Sequence, residues 1–170
     1  RMNEQIEKQE LDLQFGGIDL QDQVIFWPDN MVTQIENILL HSFQNSLDHG
    51  YIRPQKQGKV TMQVHADVGV NGYRLIVRDS GIGINEEALK QKWSELSKED
   101  QQIYRTPLAV LFRSGYSGAE NVTITSGQGI GLAAVHEAVK GLSGVVSLKN
   151  RKEVSGTELE VFIPHQQQVE

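Results

Sequence analysis

The sequence predicts an α+β two-layer sandwich in which a mixed, mostly antiparallel sheet carries helices on one face. Three observations favour this class. One long segment has apolar residues at helical spacing, a pair of short segments has the pattern of a hairpin, and a glycine-rich stretch late in the chain precedes a second helix and two closing strands. Helices placed among antiparallel strands favour a sandwich over a repeated strand–helix–strand unit.

The first half of the chain is predicted to hold three strands and one long helix. Residues 11–15 alternate between apolar and polar side chains, as a short edge strand does. A helix is predicted from just after Pro28 to about Gly50, because Pro suits a first turn and Gly a C-terminal end. Residues 59–66 and 73–77 are predicted strands, joined by a short turn. The apolar face of the helix comprises Met31, Ile35, Ile38, Leu39, Phe43 and Leu47.

The second half begins with a short helix and a long irregular segment. Asn85 suits the N-cap of a helix that reaches about Trp93. Residues 97–127 lack periodicity, and a loop of that length in a compact domain is functional or disordered, so we expect a flexible lid over a ligand. A second helix is predicted over residues 132–142. The closing strands are predicted at residues 145–149 and 158–163.

Composition limits the classes of function. The 170 residues suit a single domain, residues 1–170, and the net charge of −6 argues against a broad nucleic-acid or anionic-membrane surface, because both need clustered positive charge. The sequence has no cysteine, which excludes disulfides and thiol chemistry. No stretch approaches the roughly 20 apolar residues of a membrane helix, so we expect a cytoplasmic domain without direct membrane contact. The first residue Arg1 and the polar residues 166–170 indicate a fragment of a larger protein.

Three polar residues on the long helix form the first candidate site. His41, Asn45 and Asp48 are spaced by four and three, so they project from one side of the helix. An Asn side-chain oxygen is a suitable ligand for Mg²⁺, which takes few protein ligands and keeps waters and substrate phosphates. A solvated helix face is an equally open interpretation of this segment alone.

Two glycine-containing segments form the other candidate sites. Asp79-Ser80-Gly81-Ile82-Gly83 follows an apolar strand, where a carboxylate could accept a hydrogen bond from adenine and glycines would let a ring approach the backbone; an ordinary turn is the alternative. Gly127-Gln128-Gly129-Ile130-Gly131 opens a helix whose N-terminal N–H groups suit phosphate oxygens. A dinucleotide-binding loop would follow the first strand, and a Walker loop would carry Lys-Ser/Thr, so both of these readings fail.

Together and in this order, these segments resemble the N, G1, F and G2 boxes of the GHKL superfamily, which comprises gyrase, Hsp90, histidine kinases and MutL. The resemblance covers about residues 11–164 and is strongest to histidine kinases of the CheA chemotaxis type. It implies the Bergerat fold, a flexible ATP lid, and ATP and Mg²⁺ as cofactors. The segments that carry it are residues 45–50, 79–83, 111–117, 126–132 and Gly156-Thr157.

The resemblance also implies roles for individual residues. Asn45 would bind Mg²⁺, Asp79 the adenine amine, and Thr157 would support Asp79. Gln44 and Gln128 depart from the type, because both replace common arginines and so reduce positive charge near the phosphates; Ser114 in place of Pro and Ala133-Ala134 in place of Asp-Val depart as well. The remaining predicted nucleotide-binding residues are Gly81 and Gly83 at the base, Asp48 and His49 at the ribose and phosphate side, Gly127, Gly129 and Gly131 at the phosphates, and Ser117, Ile130 and Leu132 in the F and G2 boxes.

The N box favours phosphoryl transfer over hydrolysis. Superfamily members that hydrolyse ATP carry a general-base Glu four residues before the Mg²⁺-binding Asn, and here that position is His41. His41 would handle a proton or stabilise charge during transfer, although a structural helix histidine is the simpler interpretation. The absence of a Glu at position 41 also counts against an ATPase clamp of the gyrase or Hsp90 type.

No histidine of the chain lies in a recognisable phosphoacceptor pattern. The acceptor histidine is therefore expected on a separate domain of the same protein or on a protein in trans, with a response regulator downstream. A catalytically weak nucleotide-binding regulatory module stays open as the alternative, because of the two glutamines and the altered F box.

Overall fold

The computed structural model describes residues 15–19, 27–49, 62–113 and 131–165, which form a five-stranded sheet with helices packed against it. The strands lie in the order β1-β2-β3-β5-β4; β1 pairs parallel to β2, and all other described neighbours are antiparallel. This confirms the predicted α+β class with a mixed, mostly antiparallel sheet. The elements are β1 (Phe15–Asp19), α1 (Asp29–His49), β2 (Met62–Gly69), β3 (Gly72–Asp79), α2 (Glu86–Ser94), α3 (Lys98–Ile103), a 3₁₀ helix (Pro107–Phe112), α4 (Gly131–Gly141), β4 (Val145–Asn150) and β5 (Thr157–Pro164).

The core lies between one face of the sheet and helices α1 and α4. Alternate residues of each strand point to this face, so pairing the strands in register produces continuous apolar rows. One row joins Val64, Val77 and Leu159 across β2, β3 and β5. Helix α4 adds Val135 and Val139, both with at most 1% of their surface exposed. The sheet and the two helices therefore share one hydrophobic core.

Helix α1 forms where the sequence predicted it. Pro28 precedes its first turn and its carbonyl accepts the N–H of Met31 at 2.7 Å. Met31, Ile35 and Ile38 are buried at intervals of four and three residues, which is the spacing that keeps side chains on one face of a helix. Although α1 has 21 residues, no helix in the described ranges combines the length and apolarity needed to cross a membrane.

The opposite face of the sheet is polar and is crossed by ion pairs. Glu158 lies between Arg78 and Lys149, with Oε2 2.5 Å from Arg78 Nε and Oε1 2.7 Å from Lys149 Nζ. The hydrogen bond from Lys149 is the main cause that holds the pKa of Glu158 below its ordinary value, and the same bond raises the pKa of Lys149. A second pair joins Arg74 to Glu160 at 3.3 Å.

The prediction of an irregular segment over residues 97–127 was wrong for residues 98–103 and 107–112, which are helical. Helix α3 begins at an N-cap, Ser97, whose Oγ accepts the N–H of Asp100 at 3.1 Å. The 3₁₀ helix follows Thr106, whose side chain accepts the N–H of Ala109, with a proline in its first turn. Both elements have only six residues, at most two turns, so no apolar period could develop in them. Residues 114–130, which include the rest of the predicted lid, lie outside the described residues.

The other predicted boundaries differ by a few residues. Strand β1 occupies Phe15–Asp19 and shares only Phe15 with the predicted residues 11–15, of which 11–14 lie outside the described part. Strand β3 continues two residues past the predicted end at Val77, to Asp79. Helix α2 is confirmed: Asn85 Oδ1 accepts the N–H of Ala88 at 3.0 Å, as an N-cap does.

Candidate functional site

The centre of the candidate site is the carboxylate of Asp79, the last residue of β3. Asp79 is only 6% exposed, and buried carboxylates need hydrogen-bond donors to offset their lost hydration. Oδ1 accepts the N–H of Gly81 at 2.8 Å and that of Thr157 at 3.2 Å. Oδ2 accepts the Oγ1 hydroxyl of Thr157. The structure thus brings together three of the predicted base-side residues, Asp79, Gly81 and Thr157.

A fourth donor to Asp79 comes from helix α1. The hydroxyl of Ser46 lies 3.5 Å from Asp79 Oδ2 and 3.1 Å from the carbonyl oxygen of Ser42. At that distance the contact with Asp79 is the weakest of the four. Ser46 is 7% exposed and faces the sheet, which places the N-terminal side of the predicted N box directly against the end of β3. Sequence reasoning gave Ser46 no role, because one Ser on a helix has no pattern.

Gly156 lets β5 approach the end of β3 closely. Its φ angle is +115°, in the region that favours glycine, and an added Cβ would lie 2.0 Å from the backbone oxygen of Asp79. No other residue fits here without moving backbone. The Gly-Thr pair that the sequence singled out therefore has two separate parts: Gly156 permits the approach, and Thr157 makes the hydrogen bonds.

Asn45 and Gly131 meet on the other side of α1. A Cβ added to Gly131, the first residue of α4, would lie 2.5 Å from Asn45 Oδ1 and 2.7 Å from Nδ2. Nδ2 of Asn45 is buried and, within the part of the chain that the structure describes, has no hydrogen-bond partner. A buried amide without a partner is costly, so this group fits a site that a ligand completes. Leu132, the next residue, packs against the hydrophobic core.

His41 lies one turn before Asn45 and is partly exposed. Its Nδ1 lies 3.2 Å from Oε1 of Gln44 on the same helix. Gln44 therefore orients the imidazole from within α1.

Several predicted site residues cannot be placed. Asp48 and His49 lie in α1, but their side chains are outside the described residues. Ser117, Gly127, Gly129 and Ile130 are outside them entirely. Of the predicted F box, residues 111–113 are described. Phe112 packs on the core, with its ring centroid 5.8 Å from that of His136.

The connection between β4 and β5 contributes residues that the sequence did not indicate. Asn150, Arg151 and Ser155 each donate a side-chain hydrogen bond to a backbone oxygen between Asp79 and Ile84. Their contacts span 66 to 74 positions along the chain, so no local motif could have revealed them. Gly83 lies against Asn150, and not at an open surface.

Comparison with known protein families gives one matching model. Residues 31–167 match the family described as histidine kinase-, DNA gyrase B-, and HSP90-like ATPase. The match includes all but the first two residues of α1, strands β2 to β5 and every candidate site residue named above.

Similar proteins include chemotaxis proteins of the CheA type and a gliding motility regulatory protein. The chain is 28% identical over 151 residues to the chemotaxis protein CheA of Bacillus subtilis, covering 79% of this chain and 21% of that protein. It is 30% identical over 132 residues to CheA of Halobacterium salinarum, covering 69% and 19%. It is also 30% identical over 135 residues to the gliding motility regulatory protein of Myxococcus xanthus, covering 72% and 17%. The chain thus spans about a fifth of the length of these relatives.

Solved structures with a similar fold are histidine kinases. The mycobacterial sensor histidine kinase MprB matches with a TM-score of 0.50 and 15% identity, over 78% of this chain and 70% of that one. The histidine kinase domain of the blue-light activated kinase EL346 from Erythrobacter litoralis matches with a TM-score of 0.50 and 18% identity, over 86% and 53%. At these identities the likeness concerns the fold alone.

Proposed function

Because this chain belongs to the family of histidine kinase-, DNA gyrase B- and HSP90-like ATPases and is CheA-like within it, we propose that it binds Mg–ATP and donates the γ-phosphoryl group to a histidine. The acceptor histidine would lie on a separate domain of the same protein or on a protein in trans, and a response regulator would act downstream. Residues 1–170 would form the ATP-binding catalytic domain of a larger, cytoplasmic kinase.

The observation that carries the proposal is the buried carboxylate of Asp79. Thr157 and the N–H of Gly81 hold it firmly, whereas the Ser46 hydroxyl reaches it only at 3.5 Å. A carboxylate offers about four acceptor sites, so the amine of adenine could replace the weakest donor. The adenine amine would then donate to a carboxylate whose orientation is fixed by three hydrogen bonds, one from Gly81 and two from Thr157.

Asn45 supports a phosphate and metal site next to α4. Its carboxamide offers an oxygen of the kind Mg²⁺ takes and, at Nδ2, a buried donor that would suit a phosphate oxygen. Gly131 opens α4, where backbone N–H groups and the helix dipole favour anions. When bound, Mg²⁺ would neutralise charge on the phosphates during transfer. Two neighbouring residues of α1 would thus lie at different parts of the nucleotide, Ser46 at the base and Asn45 at the phosphates.

His41 takes the position that a general-base Glu holds in the hydrolysing members. Its Nδ1 is turned toward Gln44, so the other ring nitrogen is left to face a reacting group. The general-base Glu of the hydrolysing members is missing from this position, which favours transfer to a protein acceptor over activation of water. We propose that His41 stabilises charge or relays a proton during transfer.

Calorimetric titration of the chain with ADP, with and without Mg²⁺, tests the nucleotide site. Asp79→Asn is the informative variant, because Ser46 and Thr157 hydroxyls can reverse their hydrogen bonds to an amide while the adenine amine can only donate. We expect this variant to lose about 1–3 kcal/mol of ADP affinity, about 5- to 150-fold, and to gain relative affinity for IDP, whose base carries an acceptor at that position. Unchanged affinity for ADP would refute the assignment of Asp79.

Phosphoryl transfer needs a second assay. The chain is incubated with γ-labelled ATP and a phosphoacceptor domain from a chemotaxis kinase, and acid-labile label on that domain is measured. We expect label that disappears with Asn45→Ala. Nucleotide binding with no transfer to any histidine domain tried would favour the alternative, a nucleotide-binding regulatory module.

A further inference from the structure

The loop between β3 and α2 is held in place by side chains of a distant segment. Residues 80–85 follow Asp79 and contain both glycines of the predicted base pocket. The β4–β5 connection, residues 151–156, lies against this loop. The loop therefore has anchors that are independent of any ligand.

Asn150, the last residue of β4, makes the closest of these contacts. Its Oδ1 accepts the N–H of Ile84 at 2.6 Å, and its Nδ2 donates to the carbonyl oxygen of Ile84 at 2.9 Å. Nδ2 also lies 3.0 Å from Oε1 of Glu86, in the first turn of α2. One carboxamide thus satisfies both backbone groups of Ile84, as a neighbouring strand would.

Gly83 lies directly against the side chain of Asn150. Its φ angle is +82°, and an added Cβ would lie 2.7 Å from Asn150 Oδ1. The missing side chain at Gly83 makes room for Asn150, a role that the sequence did not indicate for this glycine. The two residues form one interlocking contact.

Two further side chains fix the start of the same loop. Arg151 Nη1 donates to the backbone oxygen of Asp79 at 3.0 Å, and Ser155 Oγ donates to that of Gly81 at 2.7 Å. The backbone of Arg151 is in turn held by a 3.0 Å hydrogen bond to the carbonyl oxygen of Gly156. The anchors at residues 79, 81 and 84 are therefore spread along the loop, and Asn150 holds its far end.

We propose that Asn150 is a positioning residue for nucleotide binding, which sets the loop after Asp79 in its binding conformation before the nucleotide arrives. The inference rests on the proposed function, because it assigns the loop to the base pocket. A loop ordered in advance loses less conformational entropy when a ligand binds, so affinity depends on the anchor although the anchor need not touch the ligand. Asn150 lies outside the four motifs that pointed to the site.

The test compares Asn150→Ala with Asn71→Ala, the same substitution in the exposed turn at the opposite end of β3. In the nucleotide-free chain, amide hydrogen exchange at Ile84 is expected to rise about tenfold in Asn150→Ala, the scale of one lost hydrogen bond, and to stay unchanged in Asn71→Ala. ADP affinity by calorimetry is expected to fall by about the same factor in Asn150→Ala and to stay unchanged in Asn71→Ala.

A double-mutant cycle with Asp79→Asn separates positioning from general destabilisation. If Asn150 acts through the base pocket, its effect on ADP affinity shrinks in the Asp79→Asn background, whereas a structural effect would add in full. Unchanged ADP affinity, unchanged exchange at Ile84, or full additivity would each overturn the inference. A chain that binds no ADP overturns this inference and the proposed function together. ADP binding that falls with Asp79→Asn but not with Asn150→Ala overturns only the role of Asn150.

Discussion

Replacing Gly131 with Ala tests the contact between α4 and the side chain of Asn45. The new Cβ would stand 2.5 Å from Asn45 Oδ1, while ordinary contact begins at 3.4 Å, so the carboxamide must retreat by about 0.9 Å. Mg²⁺ accepts ligands only near 2.0–2.1 Å, and a shift of that size therefore removes the proposed ligand. The backbone of α1 need not move, because the clashing atoms are the end of a side chain.

The expected result is a loss of Mg²⁺-dependent binding without loss of fold. Displacing a group that orients a metal ligand costs about 10- to 100-fold in metal affinity, and we expect that reduction in the Mg²⁺-dependent part of ADP affinity. Ala is favoured over Gly in a helix by about 0.5–1 kcal/mol, which offsets the local clash, so the thermal midpoint should change little. Gly141→Ala is the matched control, since it lies in the same helix and its added Cβ meets nothing within 4 Å.

Calorimetric titration with ADP at several Mg²⁺ concentrations measures this effect. In an Asn45→Ala background the clash is gone, so Gly131→Ala should cost little further affinity. Full Mg²⁺-dependent binding by Gly131→Ala would refute the reasoning, and so would an equal loss in Gly141→Ala. A full additional loss in the Asn45→Ala background would show that the new methyl group acts on the ligand directly.

Three further variants probe the frame around the site. Gly156→Ala places a Cβ 2.0 Å from the backbone oxygen at the end of β3, and we expect a loss of about 3 kcal/mol or more in urea unfolding; a loss under 1 kcal/mol would contradict the close approach. Glu158→Gln removes the carboxylate whose pKa is lowered mainly by Lys149, and the stabilisation from that lowered pKa is present above the ordinary pKa near 4.5 and lost as the pH falls below it. Below that pH the thermal midpoint of the variant should depend less on pH than that of the unsubstituted chain. An unchanged pH profile would contradict this. Gln101→Ala removes an amide that donates to the carbonyl oxygen of Trp93 at 3.0 Å, and should cost about 1 kcal/mol of stability, whereas its exposed neighbour Gln102→Ala should cost almost nothing.

The elements that the sequence predicted well are those whose packing repeats. Helix α1 buries Met31, Ile35 and Ile38 on one face, so its apolar period is visible over 21 residues. Strands β2 and β5 alternate in burial because one face of the sheet meets the core. The short helices after α2 were missed since neither is longer than two turns, although Ser97 and Thr106 stand three residues before the N–H groups that they cap.

The candidate site was predicted only where its residues belong to local motifs. Asp79 and Thr157 were found through such motifs, and the structure joins them by hydrogen bonds across 78 positions. Asn150 could not be found in the same way, because its partner Ile84 is 66 positions away and a strand-ending Asn has no distinguishing pattern. Long-range hydrogen bonds between loops depend on the folded sheet, and a single sequence does not display them.

Helix α1 links the two halves of the site through adjacent residues. Consecutive positions on a helix differ in direction by about 100°, so Ser46 faces the sheet and Asp79 while Asn45 faces α4 and Gly131. The base side is built on the sheet and the β4–β5 connection, and the phosphate side on the start of α4. A shift of α1 against the sheet would therefore change the distance from Ser46 to Asp79 and that from Asn45 to Gly131 at the same time. Under the proposed function, base recognition and metal binding would therefore be coupled by the rigidity of one helix, without direct contact between the two groups of residues.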